Sequence, residues 1–192
     1  AMQSSVPKGE GGMIAVLGSK IEFIENLLKE NIKNYECFIA NDNSEGQLVL
    51  SGKKNDLEKL IEDLKKNSIK NIILPVSAPF HCKLMNKATE IMKHEIEKLN
   101  FLPSKKILVS NVSAESMTDS LLIKKLLIKQ IESRVKWRES VKYMIQNNSK
   151  NFIEIGPGKV LTGLVKRIDR NVKVSAINNE EDIKVIKNNN EF

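Results

Sequence analysis

With 192 residues, 41% of them hydrophobic and 29% charged, the chain can fold as one domain with a sizeable core or as a domain plus a smaller lobe. No apolar run approaches the ~20 residues of a membrane span, and residues 1–9 lack the apolar stretch of a signal peptide, so a soluble, cytoplasmic protein is expected. The net charge of +7 raises the question of nucleic acid, but the basic residues are nearly all lysines scattered among glutamates, without the interleaved aromatics of strand binders, so none is expected.

The first strand is expected over residues 12–18, where Met13-Ile-Ala-Val-Leu17 lies between glycines. Ser19-Lys-Ile-Glu22 reads as a capping box, in which a serine accepts from an orphan N–H and a glutamate reaches back. Ile21, Ile24 and Leu28 follow at helical spacing. Residues 35–40 form a second strand, residues 41–46 a turn rich in Asn, Asp, Ser and Gly, and residues 47–51 a third strand in hairpin relation to the second. Asn55-Asp-Leu-Glu58 repeats the capping pattern ahead of a stripe of Leu57, Leu60, Ile61 and Leu64, and residues 71–76 make a fourth strand. The order βαββαβ over residues 12–76 is that of a ferredoxin-like unit, which by itself says little about function.

At Pro75-Val-Ser-Ala-Pro-Phe-His81-Cys-Lys-Leu-Met85 a strand ends in proline and a helix begins shortly after, which holds His81 at a strand-to-helix corner. Such corners collect chemical side chains in α/β folds, because the sheet fixes the position and the loop leaves it reachable. Two readings of His81 follow from the residues: a ring N–H bonded to a main-chain carbonyl, or a general base. Cys37 and Cys82 are too few for a disulfide framework and lack metal-binding spacing, so no metal is expected, and the Cys82 thiol is read as packing.

Leu84, Met85, Ala88, Ile91, Met92, Ile96 and Leu99 then form the stripe of a long amphipathic helix. Beyond it come a strand at 107–110, helices at 121–131 and 137–145, a strand at 152–155, the turn Gly156-Pro-Gly158, a helix at 160–168 and a strand at 172–177. Residues 178–192 form a polar tail, expected to be frayed. The Gly-Pro-Gly turn invites comparison with a phosphate loop, but without Walker spacing a plain strand-to-helix turn is preferred. A histidine base needs something to deprotonate, and no G-x-S-x-G elbow occurs in the chain.

Four stretches resemble the malonyl-CoA:acyl carrier protein transacylase family. They are Met2-Gln-Ser-Ser-Val-Pro-Lys-Gly-Glu-Gly-Gly-Met13; Asn41-Asp-Asn-Ser-Glu-Gly-Gln47 with Ser51-Gly52; Val76-Ser-Ala-Pro-Phe-His81-Cys-Lys-Leu-Met85; and residues 154–168, Glu-Ile-Gly-Pro-Gly-Lys-Val-Leu-Thr-Gly-Leu-Val-Lys-Arg-Ile. Asn111-Val and Val135-Lys-Trp137 fall between them in the family's order. The resemblance implies an α/β fold: residues 1–11 connect, residues 12–76 form the ferredoxin-like small lobe, and residues 77–177 are the C-terminal part of an incomplete α/β-hydrolase-like larger lobe. A G-H-S-L-G elbow with the nucleophile, and an arginine for the malonyl carboxylate, would precede Ala1.

The chemistry it implies is ping-pong transfer of malonyl from malonyl-CoA to the phosphopantetheine thiol of acyl carrier protein, with no cofactor, no metal and no membrane partner. In that scheme His81 is the general base and acid, Gln130 orients it through its main-chain carbonyl, and Asn41 and Asn43 edge the substrate cleft. The chain departs from the family pattern at Glu45, a common proline position, which puts the rigidity of that loop in question. The alternative is a non-catalytic remnant that binds the carrier protein.

Overall fold

The structure, a computed structural model, describes residues 1–2, 5–7 and 9–188, so Gln3 of the Met-Gln motif and the last four residues of the expected tail lie outside the described residues. It is a mixed α/β protein of two compact units, residues 1–140 and 141–192.

In the first unit β1 (Gly11–Leu17), α1 (Ile21–Glu30), β2 (Cys37–Ser44), β3 (Gln47–Lys53), α2 (Lys54–Lys66) and β4 (Lys70–Ile73) follow the expected order. The four strands form one antiparallel sheet in the spatial order β2-β3-β1-β4. Ile14 and Val16 of β1 and Leu48 and Leu50 of β3 bury against Ile24 and Leu27 of α1 and Leu57, Leu60 and Leu64 of α2. The other face presents Met13, Ala40 and Val49 to Leu74 and Phe80, so it receives the segment that leads to His81.

Three local expectations are corrected. Neither capping box forms: α1 and α2 begin after Lys20 and Lys53 with no side-chain cap, and the Ser19 hydroxyl instead donates to the Lys20 carbonyl at 3.3 Å. The expected turn at 41–46 is mostly strand. β2 runs on to Ser44 through two register shifts, leaving Glu45-Gly46 as a two-residue loop with Gly46 at φ 68°, where a side chain is disfavoured. The fourth strand is shorter than expected, ending at Ile73.

After His81 a single 3₁₀ turn (Lys83–Met85) leads into α3 (Asn86–Glu97). The short β5 (Leu108–Val109) pairs with β6 (Ser116–Met117), a strand too short to show in the periodicity. In α4 (Ser120–Gln130), Asp119 caps the start, its Oδ1 accepting from Leu122 N at 2.6 Å. Then α5 (Trp137–Gln146) begins. Asn41 in β2 also forms a parallel bridge with Val135.

The second unit holds a parallel pair, β7 (Asn151–Ile155) and β8 (Lys173–Ile177), crossed by α6 (Val160–Ile168). Parallel strands are normally covered on both faces, yet Ile155 is 80% exposed. The tail expected to fray is helical over α7 (Glu180–Asn188), with Ile186 buried and Asp182 accepting from Asn178 N at 2.8 Å. Among the described residues no helix is long and apolar enough to cross a membrane.

Candidate active site

The corner at His81 is held from both sides by packing. Ala78, Met85, Ala88 and Ile131 form one buried cluster, Phe80 also touches the cluster on the sheet, and the buried Pro79 lies against Gly11. A Cβ at Gly11 would overlap Pro79 Cδ, so only glycine lets the strand approach this closely. The Cys82 thiol is buried and donates to the Pro79 carbonyl at 3.1 Å. Burial pushes that thiol up and Cys37 up to about 12, which fits packing rather than nucleophilic work.

Between these anchors His81 adopts φ 59°, a left-handed conformation uncommon for a residue with a side chain. Its Nδ1 lies 3.2 Å from the Gln130 main-chain oxygen. A carbonyl only accepts, so Nδ1 carries the proton of this bond, and in the neutral ring Nε2 keeps its lone pair. Gln130 is the last residue of α4, where carbonyls have no partner within the helix and the dipole is negative. Its oxygen also accepts from Ser133 N at 3.3 Å, while its side-chain Nε2 donates to the Ser133 carbonyl at 3.1 Å. The two residues that the family resemblance pairs thus lie within hydrogen-bond distance.

Burial lowers the His81 pKa from 6.5, and the Gln130 bond opposes the shift without cancelling it. The imidazole is therefore neutral at pH 7, the state a base requires. Because the folded chain binds this proton less readily than the unfolded chain, the group's contribution to stability falls as pH drops below about 6.5. An NMR titration of the full chain is expected to show a His81 midpoint below 6.5; a midpoint at or above it would remove the buried-base description.

His81 opens on a cleft of about 410 Å³ lined also by Leu28, Phe38, Ile39, Lys83 and Arg134. Lys83 pairs with Glu36 and lies 5.4 Å above the Phe38 ring, and Arg134 bonds Glu25 at 2.8 Å. Asn41 and Asn43 stand half-buried in β2, alternating with buried Asp42 and Ser44, and are not among the described residues lining this cleft.

Sequence reasoning missed the ion cluster beside them. Arg138 donates to Asp42 Oδ2 through Nε at 3.0 Å and Nη2 at 2.8 Å, and to Glu45 Oε2 through Nη1 at 2.6 Å. A signal was present: in a chain that uses lysine nearly everywhere, arginine appears only at 134, 138, 167 and 170, and a planar fork is what two carboxylates at one site require. Glu45, whose place suggested a loosened loop, is an anchor of it.

In the second unit the Gly-Pro-Gly turn holds no open anion site, because the Glu154 carboxylate already accepts from Leu161 N at 3.1 Å and Thr162 N at 2.7 Å at the start of α6. Among the described residues no three His, Cys, Asp or Glu side chains could hold a metal ion.

No family model matches the chain. It is 39% identical over 186 residues to the malonyl CoA-acyl carrier protein transacylase of Bacillus subtilis (strain 168), covering 96% of this chain and 59% of that protein. The same transacylase of Staphylococcus aureus (strain MSSA476) is 38% identical, covering 95% and 60%. The crystal structure of a malonyl CoA-acyl carrier protein transacylase from Clostridium perfringens superposes with a TM-score of 0.93 at 36% identity, covering 99% of this chain and 60% of that one. A malonyl-transacylase in complex with its type II PKS acyl-carrier protein gives 0.91 at 32%, covering 97% and 61%. The chain spans about 60% of the length of the relatives it matches.

Proposed function

We propose, for a chain homologous to the malonyl CoA-acyl carrier protein transacylases along 96% of its own length and about 60% of theirs, that it forms the histidine-bearing part of a cytoplasmic acyltransferase. The substrates are malonyl-CoA and acyl carrier protein, and no cofactor is needed. On this reading residues 12–76 are the ferredoxin-like small lobe and residues 77–177 belong to an α/β-hydrolase-like larger lobe. The observation that carries it is the bond from His81 Nδ1 to the Gln130 carbonyl, which leaves Nε2 as a free base at the end of a helix.

The chemistry needs a serine from a G-H-S-L-G segment, which these 192 residues do not contain. His81 Nε2 takes the serine proton as the oxygen attacks the malonyl thioester, and the Gln130 carbonyl and the α4 terminus stabilise the imidazolium. The C–S bond breaks and the proton passes to the departing coenzyme A sulfur. In the second half Nε2 takes the phosphopantetheine thiol proton, sulfur attacks the acyl-serine ester, and the serine oxygen leaves with that proton. Asn41 and Asn43 edge the substrate path on this reading.

Lysines beside the cleft would steer an acidic carrier protein, an attraction that weakens with salt. Lys83 is the candidate that lines the cleft. Lys166, a second basic candidate near the recognised motifs, instead donates to the Arg170 and Val172 carbonyls at 3.2 and 2.8 Å, closing the end of α6.

Labelled malonyl-CoA tests the proposal. The chain alone is expected to form no acyl-enzyme, and the chain joined to a G-H-S-L-G-bearing segment is expected to form a stoichiometric serine ester. Labelling of the isolated chain, or none in the joined one when it is folded, overturns the assignment.

A further inference from the structure

We infer that Arg138 is a positioning residue for His81: by clamping Asp42 and Glu45 it holds the hairpin of β2 and β3 against residues 131–136, the segment that carries the Gln130 carbonyl to the imidazole. Asp42 is 0% exposed, and its Oδ1 has no hydrogen-bond partner among the described residues, so the two bonds from Arg138 to Oδ2 are what offset the cost of burying the carboxylate. Arg138 itself is 15% exposed, and its third bond reaches Glu45 at the tip of the hairpin. Lysine offers a single point of charge and could not bracket two carboxylates from one position.

Backbone hydrogen bonds link the clamped hairpin to the segment that follows Gln130. Val135 N donates to the Ala40 carbonyl at 2.7 Å, and Asp42 N donates to the Val135 carbonyl at 2.9 Å, so the residues on either side of Asn41 are zipped to Val135. Lys136 N donates to the Asn111 carbonyl at 2.9 Å. At the other end of the segment Gln130 and Ser133 bond reciprocally, and the Gln130 oxygen that accepts from Ser133 N is the one His81 uses. The segment is thus pinned at Val135 by β2 and at Gln130 by its own turn. Releasing β2 frees the first pin and lets the carbonyl drift from Nδ1.

The catalytic importance of this clamp rests on the reading of His81 given above, but its test observes the imidazole directly, so a His81 without catalytic duty leaves the result interpretable. In the ¹⁵N-labelled full chain, the Nδ1–H of His81 is distinguished from the signals of His94, the second of two histidines, by a His81→Gln variant. The double variant Asp42→Asn/Arg138→Met removes both buried charges together and is expected to exchange the His81 Nδ1 proton with solvent at least about tenfold faster, because the bond to Gln130 opens more often. Arg138→Lys, which keeps the charge and loses the fork, is expected to fall between parent and double variant. A strut with a merely structural role would lower the melting temperature and leave exchange in the folded molecule at the parent rate, and that result overturns the inference. If the double variant does not fold, Arg138→Lys decides by the same criterion.

Discussion

His81→Ala is expected to lower single-turnover acylation by malonyl-CoA roughly 10²- to 10⁴-fold, the range that general base catalysis contributes, in the chain joined to a G-H-S-L-G-bearing segment. The serine hydroxyl then has no acceptor for its proton while coenzyme A remains a thioester, so the loss appears in the chemical step. Gln130→Ala is expected to cost far less, because the 3.2 Å contact uses a main-chain oxygen that alanine retains. It does lose the side-chain bond to the Ser133 carbonyl, which predicts a small effect rather than none. The measurement is the acylation rate per folded molecule for both variants. Equal damage from Gln130→Ala without unfolding rules out the main-chain role, and a parent rate in His81→Ala leaves the histidine a purely structural group.

Arg138→Met is expected to destabilise the fold by about 3–5 kcal/mol, the cost of leaving a buried charge without its partner. Glu45→Gln, which breaks the arm whose carboxylate side chain is 65% exposed, is expected to cost at most about 1 kcal/mol. The variants separate on pH as well. Burial already holds the Asp42 carboxyl above the usual carboxylate range despite Arg138, and removing the guanidinium raises it further. The folded variant then takes up a proton that the unfolded chain does not, so its stability rises as pH falls from 7 towards that carboxyl's range. Urea unfolding at pH 7 and at mildly acidic pH reads both effects. A loss at pH 7 no larger than that of Glu45→Gln, or one that deepens on acidification, excludes Asp42 as the uncompensated charge.

What could be read from residue order alone was whatever depends on near neighbours. The apolar periods located both helices of the sheet unit, and Pro75 and the stripe from Leu84 placed His81 at a corner, while its pairing with Gln130 came only from the family resemblance. Helix starts were misjudged at Ser19 and Asn55, because a cap is worth only ~1 kcal/mol and the chain direction set by sheet packing outweighs it. The reach of β2 into residues 41–44 was also hidden. Asn-Asp-Asn-Ser carries turn chemistry locally, but its backbone groups find better partners in β3 and Val135, and Asp42 finds a counter-ion 96 residues away. Only the tertiary structure could decide these points, since an ion pair or a bridge between distant segments leaves no period in the sequence, and burial alone sets what each is worth.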